Sequence, residues 1–395
     1  MIKPRRHVGA SSGGLELMGI TSRVDMYFTF DSAVNLQELL CVMENGTWEQ
    51  SSEAVQECFD FLSMEEASES KATYLVHPLL DLLCVRNKSV AKANVLNRMT
   101  GLMVQDMDIY PDFGVTPSIA AASQQSSCRY QVWRTAMIER LDDLLVLLEE
   151  DEATAVQTIY ALHLLQCEDE RVEAGLLETT LHTKSARIRL NGLLALTDWR
   201  RRAGKPYNPA IAFGQAHSDA LYEAMRAVCM CLTAGQQVRA HDWSHLLRGV
   251  ELPRIDRMTF PWADGSPAAC CAQAARIAMT RMGWERDQRA WWWKECLSET
   301  VKAHRLRSRT ITWECGQAEV QWDEEWLQWN WNGPMLIADN MLQSLFLDGE
   351  AVGAFHEQCT AVREALKVLA HQQIESPNAS KYGVKHLLYP LNFKV

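Results

Sequence analysis

The sequence predicts a mainly α protein of stacked antiparallel helix pairs, with a small β-hairpin inserted near its C-terminal third. Three observations lead there. Apolar residues recur at spacings of three and four through most of the chain, the period of a helix with one buried face. Two of these stretches, Val156-Gln-Thr-Ile-Tyr-Ala-Leu162 and Ile188-Arg-Leu-Asn-Gly-Leu-Leu194, echo each other 32 residues apart, each after a polar turn. A helix-turn-helix unit of that length buries its apolar face only by stacking on neighbours, the logic of an α-solenoid. Finally, 310–315 and 318–322 alternate with period two around Gly316-Gln317, the pattern of a hairpin.

Residues 1–30 form an N-terminal segment, rich in Gly and Ser to about Arg23, with strand-like alternation at 26–30. From Asp31 the helical period begins. Asp31 or Ser32 can cap the first turn, Leu36, Leu39, Leu40 and Met43 follow, and Gly46 is a stop. A second amphipathic helix fits 51–62. Residues 74–84 and 90–104 form the next pair, with Pro78 near the start of one and Gly101 weakening the end of the other. Pro111, Gly114, Pro117 and the polar tract 123–127 make 105–127 a long loop. After it, 129–150 reads as one long helix with Trp133, Met137, Leu141, Leu144, Leu145 and Leu148 on a single stripe. Three short-linked helices follow at 152–166, 169–182 and 185–202. A Pro- and Gly-rich break at 203–215 precedes helices at 216–234 and 267–282. Between those two, 253–267 is an irregular linker, closed by Ser266 as a cap and Pro267 in the first helical position. Beyond the hairpin, placed at about 309–331, the helical period resumes at 334–347 and 352–374. The domain scheme is therefore the segment 1–30, a helical array over 31–202, and a second array over 216–395 carrying the hairpin.

With 395 residues, 47% of them hydrophobic, the chain has ample apolar surface for a core. Its 39 Lys and Arg against 50 Asp and Glu leave a net charge of −11, which repels polyanions. That disfavours nucleic acid and anionic membranes as partners and suits a basic protein. No run approaches the roughly 18 consecutive apolar residues of a membrane span. Lys3, Arg5 and Arg6 are followed by no apolar stretch, so a secretory signal is not expected. The 12 cysteines lie mostly in apolar helical runs, as small hydrophobes rather than a disulfide framework, which suits a reducing cytoplasm.

The stretch from Tyr74 to about Trp199, with "EEDEATAVQTIYALHLLQ" and "HTKSARIRLNGLLALTDW" at its heart, resembles the HEAT-type repeats of bacterial HEAT-repeat proteins. The resemblance covers about a third of the chain and lies in small and apolar packing positions, so no functional residue carries over. It implies a HEAT-like α-solenoid, a right-handed superhelix of antiparallel helix pairs whose concave face holds another macromolecule. Such proteins include adaptors, chaperones, enzymes that process bases or bilins, and immunity proteins that neutralise a cognate toxin.

No residue pattern points to catalysis. There is no Gly-x-Ser-x-Gly elbow and no phosphate-binding loop, since Ser11-Ser-Gly-Gly14 lacks the following Lys and helix. Cys229-Met-Cys231 with His241 and His245 is too tightly spaced for a zinc site and reads as buried thiols beside surface histidines; Cys270-Cys271 reads as packing thiols. No metal, cofactor or enzymatic activity is expected.

Two surfaces read as partner-binding. From Glu139 to Glu178 twelve acidic residues meet only Arg140 and Arg171, and 184–205 is then basic, with Asp198 its one acid. Glu149, Glu150, Asp151 and Glu152, with Glu168, Asp169 and Glu170, would lie in successive turns along one edge and steer a basic partner. The second surface is aromatic. Nine of the 14 tryptophans lie from Trp284 onward, and Trp322, Asp323, Glu324, Glu325, Trp326 and Trp329 combine Trp with carboxylates as interface hot spots do. Trp291, Trp292 and Trp293 span about 200° of a helix, so at least one faces outward. The expected function is a non-enzymatic protein-binding solenoid, an immunity protein that sequesters a basic toxin. The alternatives are a HEAT-type nucleic-acid base-processing enzyme, with Arg187, Arg189, Arg200, Arg201 and Arg202 lining a basic groove, and a scaffold of a larger assembly.

Overall fold

The computed structural model describes residues 30–63, 69–85, 91–106, 128–205, 219–233, 238–303, 310–315, 318–323 and 344, and they are mainly helical. The expected strand-like run before residue 30, the loop 107–127 and the helices at 334–347 and 352–374 lie outside them, apart from residue 344. The chain divides into two compact units, residues 1–91 and 92–395.

The first unit holds α1 (Phe30–Asn45), α2 (Trp48–Ser63) and α3 (Glu69–Cys84). Gly46 ends α1 as expected: its N–H bonds to the Val42 carbonyl, and a Cβ there would stand 2.6 Å from that oxygen. Thr47 then caps α2 reciprocally. Its Oγ1 accepts from the Gln50 N–H (3.3 Å) while Gln50 Oε1 accepts from the Thr47 N–H (2.9 Å). Buried Ser51 donates to the Met43 carbonyl and accepts from the Ala91 N–H, both at 3.0 Å. Pro78 sits well inside α3 rather than near its start, because the helix begins at Glu69. Leu75, Leu79, Leu80, Leu82 and Leu83 are all buried around it.

The second unit contains α4 (Lys92–Asp106), α5 (Cys128–Glu139), α6 (Leu141–Val146), α7 (Glu152–Leu164), α8 (Glu170–His182), α9 (Ala186–Arg202), α10 (Ala220–Thr233), α11 (Ala240–Gly249), α12 (Pro267–Arg281) and α13 (Arg286–Ala303). The backbone of β1 (Thr310–Cys315) runs antiparallel to β2 (Ala318–Asp323), with Thr312 opposite Gln321.

Five of these helices form a row in which α4 packs on α7, α7 on α9, α9 on α10 and α10 on α12. All five point the same way. Lys92, at the start of α4, reaches Glu150, just before α7 (2.6 Å). Ser185, capping α9, donates to Glu152 at the start of α7 (2.6 Å), while Trp199 near the end of α9 donates to the Cys167 carbonyl beyond the end of α7 (2.9 Å). Tyr222 of α10 lies by Arg189 of α9, and about two turns further along both helices Cys229 lies by Thr197. Gly249 meets Ala224 and Cys271, in the first halves of α10 and α12, and Arg281 closes on the Leu232 carbonyl at their far ends. Short turns reverse the chain between α7, α8 and α9, so α7 and α9 run alike. Accordingly α8 packs antiparallel to α9, with Glu173 on Arg200, and α11 antiparallel to α10, with His245 near Glu223.

The helices start where side chains can satisfy their first N–H groups. Asp151 accepts from the Ala153 and Thr154 amides, Asp169 from Arg171, Ser185 from Ile188, and Ser266 from Ala269 ahead of Pro267, the cap read from sequence. Every side chain of α7 from Thr154 to Leu164 is buried, as befits a helix walled on all sides.

The expected single helix 129–150 is broken. Arg140 leaves helical geometry (φ −107°, ψ 25°), and the chain restarts as α6 and then a 3-10 turn, Leu147–Glu149. Two packing demands differ in direction. Tyr130 and Arg134 bond to the Leu164 and Leu165 carbonyls at the end of α7, whereas Leu145 and Leu148 close over Gly175 on α8. Helix α11 was absent from the sequence reading and is anchored by Trp243. That ring stacks near Trp284 (4.6 Å) and Trp292 (5.5 Å), so Trp292 and Trp293 are core while Trp291 is 61% exposed.

Helices α8 and α9 approach closely at Gly192, where a Cβ would run into the Thr180 hydroxyl. Gly192→Ala is expected to destabilise the second unit by about 1 to 3 kcal/mol through overpacking. Adding Thr180→Ala should return part of that loss in urea denaturation, and strict additivity would show that the contact is not the cause.

Candidate interaction site

The segment expected to be an irregular linker between α11 and α12 is packed against the helices. Residues 255–265 form a closed loop, pinned at its neck by the Ile255 N–H on the Gly265 carbonyl (2.8 Å), the ends-together geometry of an Ω-loop. Glycine is required at the neck, because Gly265 has φ +83° and a Cβ would collide with the Ile255 oxygen. Within the loop, Asp256 accepts from the Thr259 and Phe260 amides and makes one tight turn. Pro261 has no N–H to offer the Arg257 carbonyl, so that group needs a partner elsewhere.

The row supplies it. Gln157 on α7 donates Nε2 to the Arg257 carbonyl (2.5 Å), and Asn191 on α9 donates Nδ2 to the Thr259 carbonyl (3.1 Å). The Asn191 Oδ1 in turn accepts from the indole N–H of Trp262 (2.8 Å), whose fully buried ring lies edge-on to Tyr160 (5.3 Å) and 4.5 Å from His163. Arg257 also reaches α4, its guanidinium 3.6 Å from where a Cβ on Gly101 would be. The loop therefore straps α4, α7 and α9 together.

Behind Trp262 the polar contacts continue into an ion cluster. His163 Nδ1 stands 3.3 Å from Asp198 Oδ2. Asp198 also accepts from Arg201 Nη2 (2.6 Å) and Nε (3.1 Å) and from Arg202 Nε (2.9 Å). Burial by itself would raise the pKa of this carboxyl. The Arg202, His163 and Arg201 charges outweigh burial and hold it at about 2. Gln157, His163 and Asn191 escaped the sequence reading, and Asp198 entered it only as the one acid of a basic run. Their one signal was a polar residue embedded in an otherwise apolar helical run.

The seven acidic residues expected on one edge are exposed or half-buried, but they fall at opposite ends of the row. Glu150, Asp151 and Glu152 lie at the start of α7, where Glu150 pairs with Lys92, Asp151 caps the helix, and Glu152 holds Ser185 and Arg187. Glu168, Asp169 and Glu170 lie at the other end, where Asp169 caps α8 and pairs with Arg171, and Glu170 meets Lys205. The length of α7, roughly 20 Å, separates the two groups. Glu149 and Glu168 carry no structural bond among the described residues. Trp322 and Asp323 belong to β2, while Glu324, Glu325, Trp326 and Trp329 lie outside the described residues.

The five arginines of the alternative nucleic-acid groove are each held internally: Arg187 by Glu152, Arg189 on the Thr183 carbonyl, Arg200 by Glu173, Arg201 and Arg202 by Asp198. Cys229 and Cys231 are buried, and burial raises both thiols, Cys229 to about 12, so they pack as neutral groups. His241 is exposed and His245 half-buried, and no metal-holding cluster occurs among the described residues. No described helix is long and apolar enough to cross a membrane. No protein-family model, curated protein or solved structure matches the chain.

Because the folded pKa of Asp198 lies below its ordinary value of 3.8, its contribution is present above about pH 4 and lost as pH falls through about 2. Asp198→Asn is expected to cost about 3 to 5 kcal/mol at pH 7 by leaving two arginines without their carboxylate. Urea melts at stepped pH should show the gap to wild type constant above pH 4 and narrowing below it. A gap independent of pH down to 2 would remove the cluster's assigned role.

Proposed function

We propose that this chain is a non-enzymatic, protein-binding α-solenoid of HEAT type, carrying a β-hairpin insertion, that sequesters a basic protein in the manner of a toxin-neutralising immunity protein. The observation that carries the reading is the row of five like-directed helices flanked by antiparallel α8 and α11, the packing order that stacked helix pairs produce. Rigid stacked helices lose little conformational freedom on binding, which suits tight sequestration. The charge of −11 supports a basic partner, and the internal pairing of the five arginines leaves them poorly placed to follow a phosphate backbone. The partner-facing charge assigned here is Glu149 and Glu168, which bond to no described side chain, together with the Trp-rich segment from Trp322 to Trp329.

Capture from host lysate with the tagged full chain, at low and high salt, should retain a stoichiometric basic protein that is toxic when expressed alone. Retention of nucleic acid with no protein would overturn the reading. With that partner in hand, the double variant Glu149→Gln/Glu168→Gln should slow association severalfold at low salt and leave the melting temperature unchanged. An unchanged association rate would remove these two residues from the interface.

A further inference from the structure

We propose that the face formed by α4, α7 and α9 is a docking site for a protein loop that presents a tryptophan, and that residues 255–265 occupy it in cis. The inference rests on the protein-binding reading and names its surface. Under the strap the row is polar, with Gln157, His163 and Asn191 all buried. Two of the contacts there are side-chain amides bonding to main-chain carbonyls of the strap, at Arg257 and Thr259. Helix-to-helix packing needs no such groups; recognition of a non-helical main chain does, because its carbonyls arrive without partners.

The strap fills this face imperfectly. The Gln157 Oε1 is buried with no hydrogen-bond partner among the described residues, a site for one more donor than the strap supplies. Ala263 is held at φ +45°, a conformation an L-residue adopts at a cost, directly after the anchoring Trp262. The neck between Ile255 and Gly265 closes the loop on itself, and the Ser266 N–H that follows it bonds back to the Trp262 and Ala263 carbonyls. A partner loop with the same chemistry, an indole N–H for Asn191 and unpaired carbonyls for Gln157 and Asn191, competes for the same seat. The tethered strap has a high effective concentration and sets the threshold that such a loop must exceed.

Two measurements on the full chain test this. Hydrogen exchange on the wild type should show the bonded amides of Ile255, Thr259 and Phe260 exchanging about 100-fold faster than those in the middle of α7 and α9, the mark of a loop that opens without the helices. Exchange of all these amides at one common slow rate would make the segment ordinary core and overturn the proposal. Fluorescence anisotropy with a labelled synthetic peptide of residues 251–266 should show about tenfold tighter binding to the Trp262→Ala chain than to wild type. The peptide carrying alanine in place of its tryptophan should not bind. Equal affinities for the two chains, with the variant still melting cooperatively, would also overturn it. If that variant does not fold, the exchange experiment decides alone. Neither arm uses the partner, so failure here leaves the protein-binding reading to be judged by capture.

Discussion

Much of this structure follows from five helices in one row pointing the same way. Each helix end carries about half a unit of charge, positive at the N-terminus and negative at the C-terminus. In a row of antiparallel neighbours these alternate and cancel; here they add. One end of the row therefore needs carboxylates, and Glu150, Asp151 and Glu152 stand there, with Asp219 accepting from the first amides of α10. The other end needs cations. Arg134 donates to the Leu165 carbonyl, Arg281 to that of Leu232, and Arg200, Arg201 and Arg202 form the last turn of α9. Helix α8 runs the other way and brings its acidic N-terminus, Asp169, Glu170 and Glu173, among those cations, where Arg200 and Lys205 meet it.

This accounts for part of the charge segregation along the chain without invoking a partner. The acidic residues start α7 and α8 and Arg200, Arg201 and Arg202 end α9, whereas Arg187, at the start of α9, is met by Glu152 of α7. Most of the acidic residues that looked like a steering edge are thus engaged in holding helix ends and pairing neighbours. What remains for a partner is smaller and more specific than net charge suggests. Coulombic steering depends on charge that is not already screened by a cation a few ångströms away.

Legibility in the sequence tracked distance along the chain. Caps and stops are local, so Gly46 and the Ser266-Pro267 pair could be read directly, and the echo between Val156 and Ile188 marked two helices that prove to be like-directed neighbours. The break at Arg140 was hidden because the apolar stripe continues through it. Only the differing partners of Tyr130 and Leu148, on α7 and α8, force the bend. The strap was illegible for a further reason. Pro253, Pro261, Pro267 and Gly265 are the signature of an exposed connection, and nothing local shows that Gln157 will meet Arg257, 100 residues away. Trp326 and Trp329, beyond the alternation at 310–322, carried no period that chose between strand and helix.

The polar residues inside the helical runs are the part of the sequence whose meaning changes most once the fold is known. In a sequence scan Gln157, His163, Asn191 and Asp198 each look like a tolerated exception on an apolar helix. In the structure Gln157 holds the Arg257 carbonyl of the loop, and a chain of contacts runs from the Thr259 carbonyl through Asn191 and the Trp262 indole to His163, Asp198 and the paired arginines. A buried polar group is costly when it loses its partner, so the bonds of Gln157, Asn191 and Asp198 act as a register pin. It fixes how far α7 and α9 slide past each other and ties that register to the loop above them. A row held by apolar contacts alone would leave sliding cheap, because ridges and grooves repeat along a helix. The same polar seam depends on the loop being seated, since removing Trp262 would leave the Asn191 Oδ1 without its indole donor and open the way towards the His163 ring.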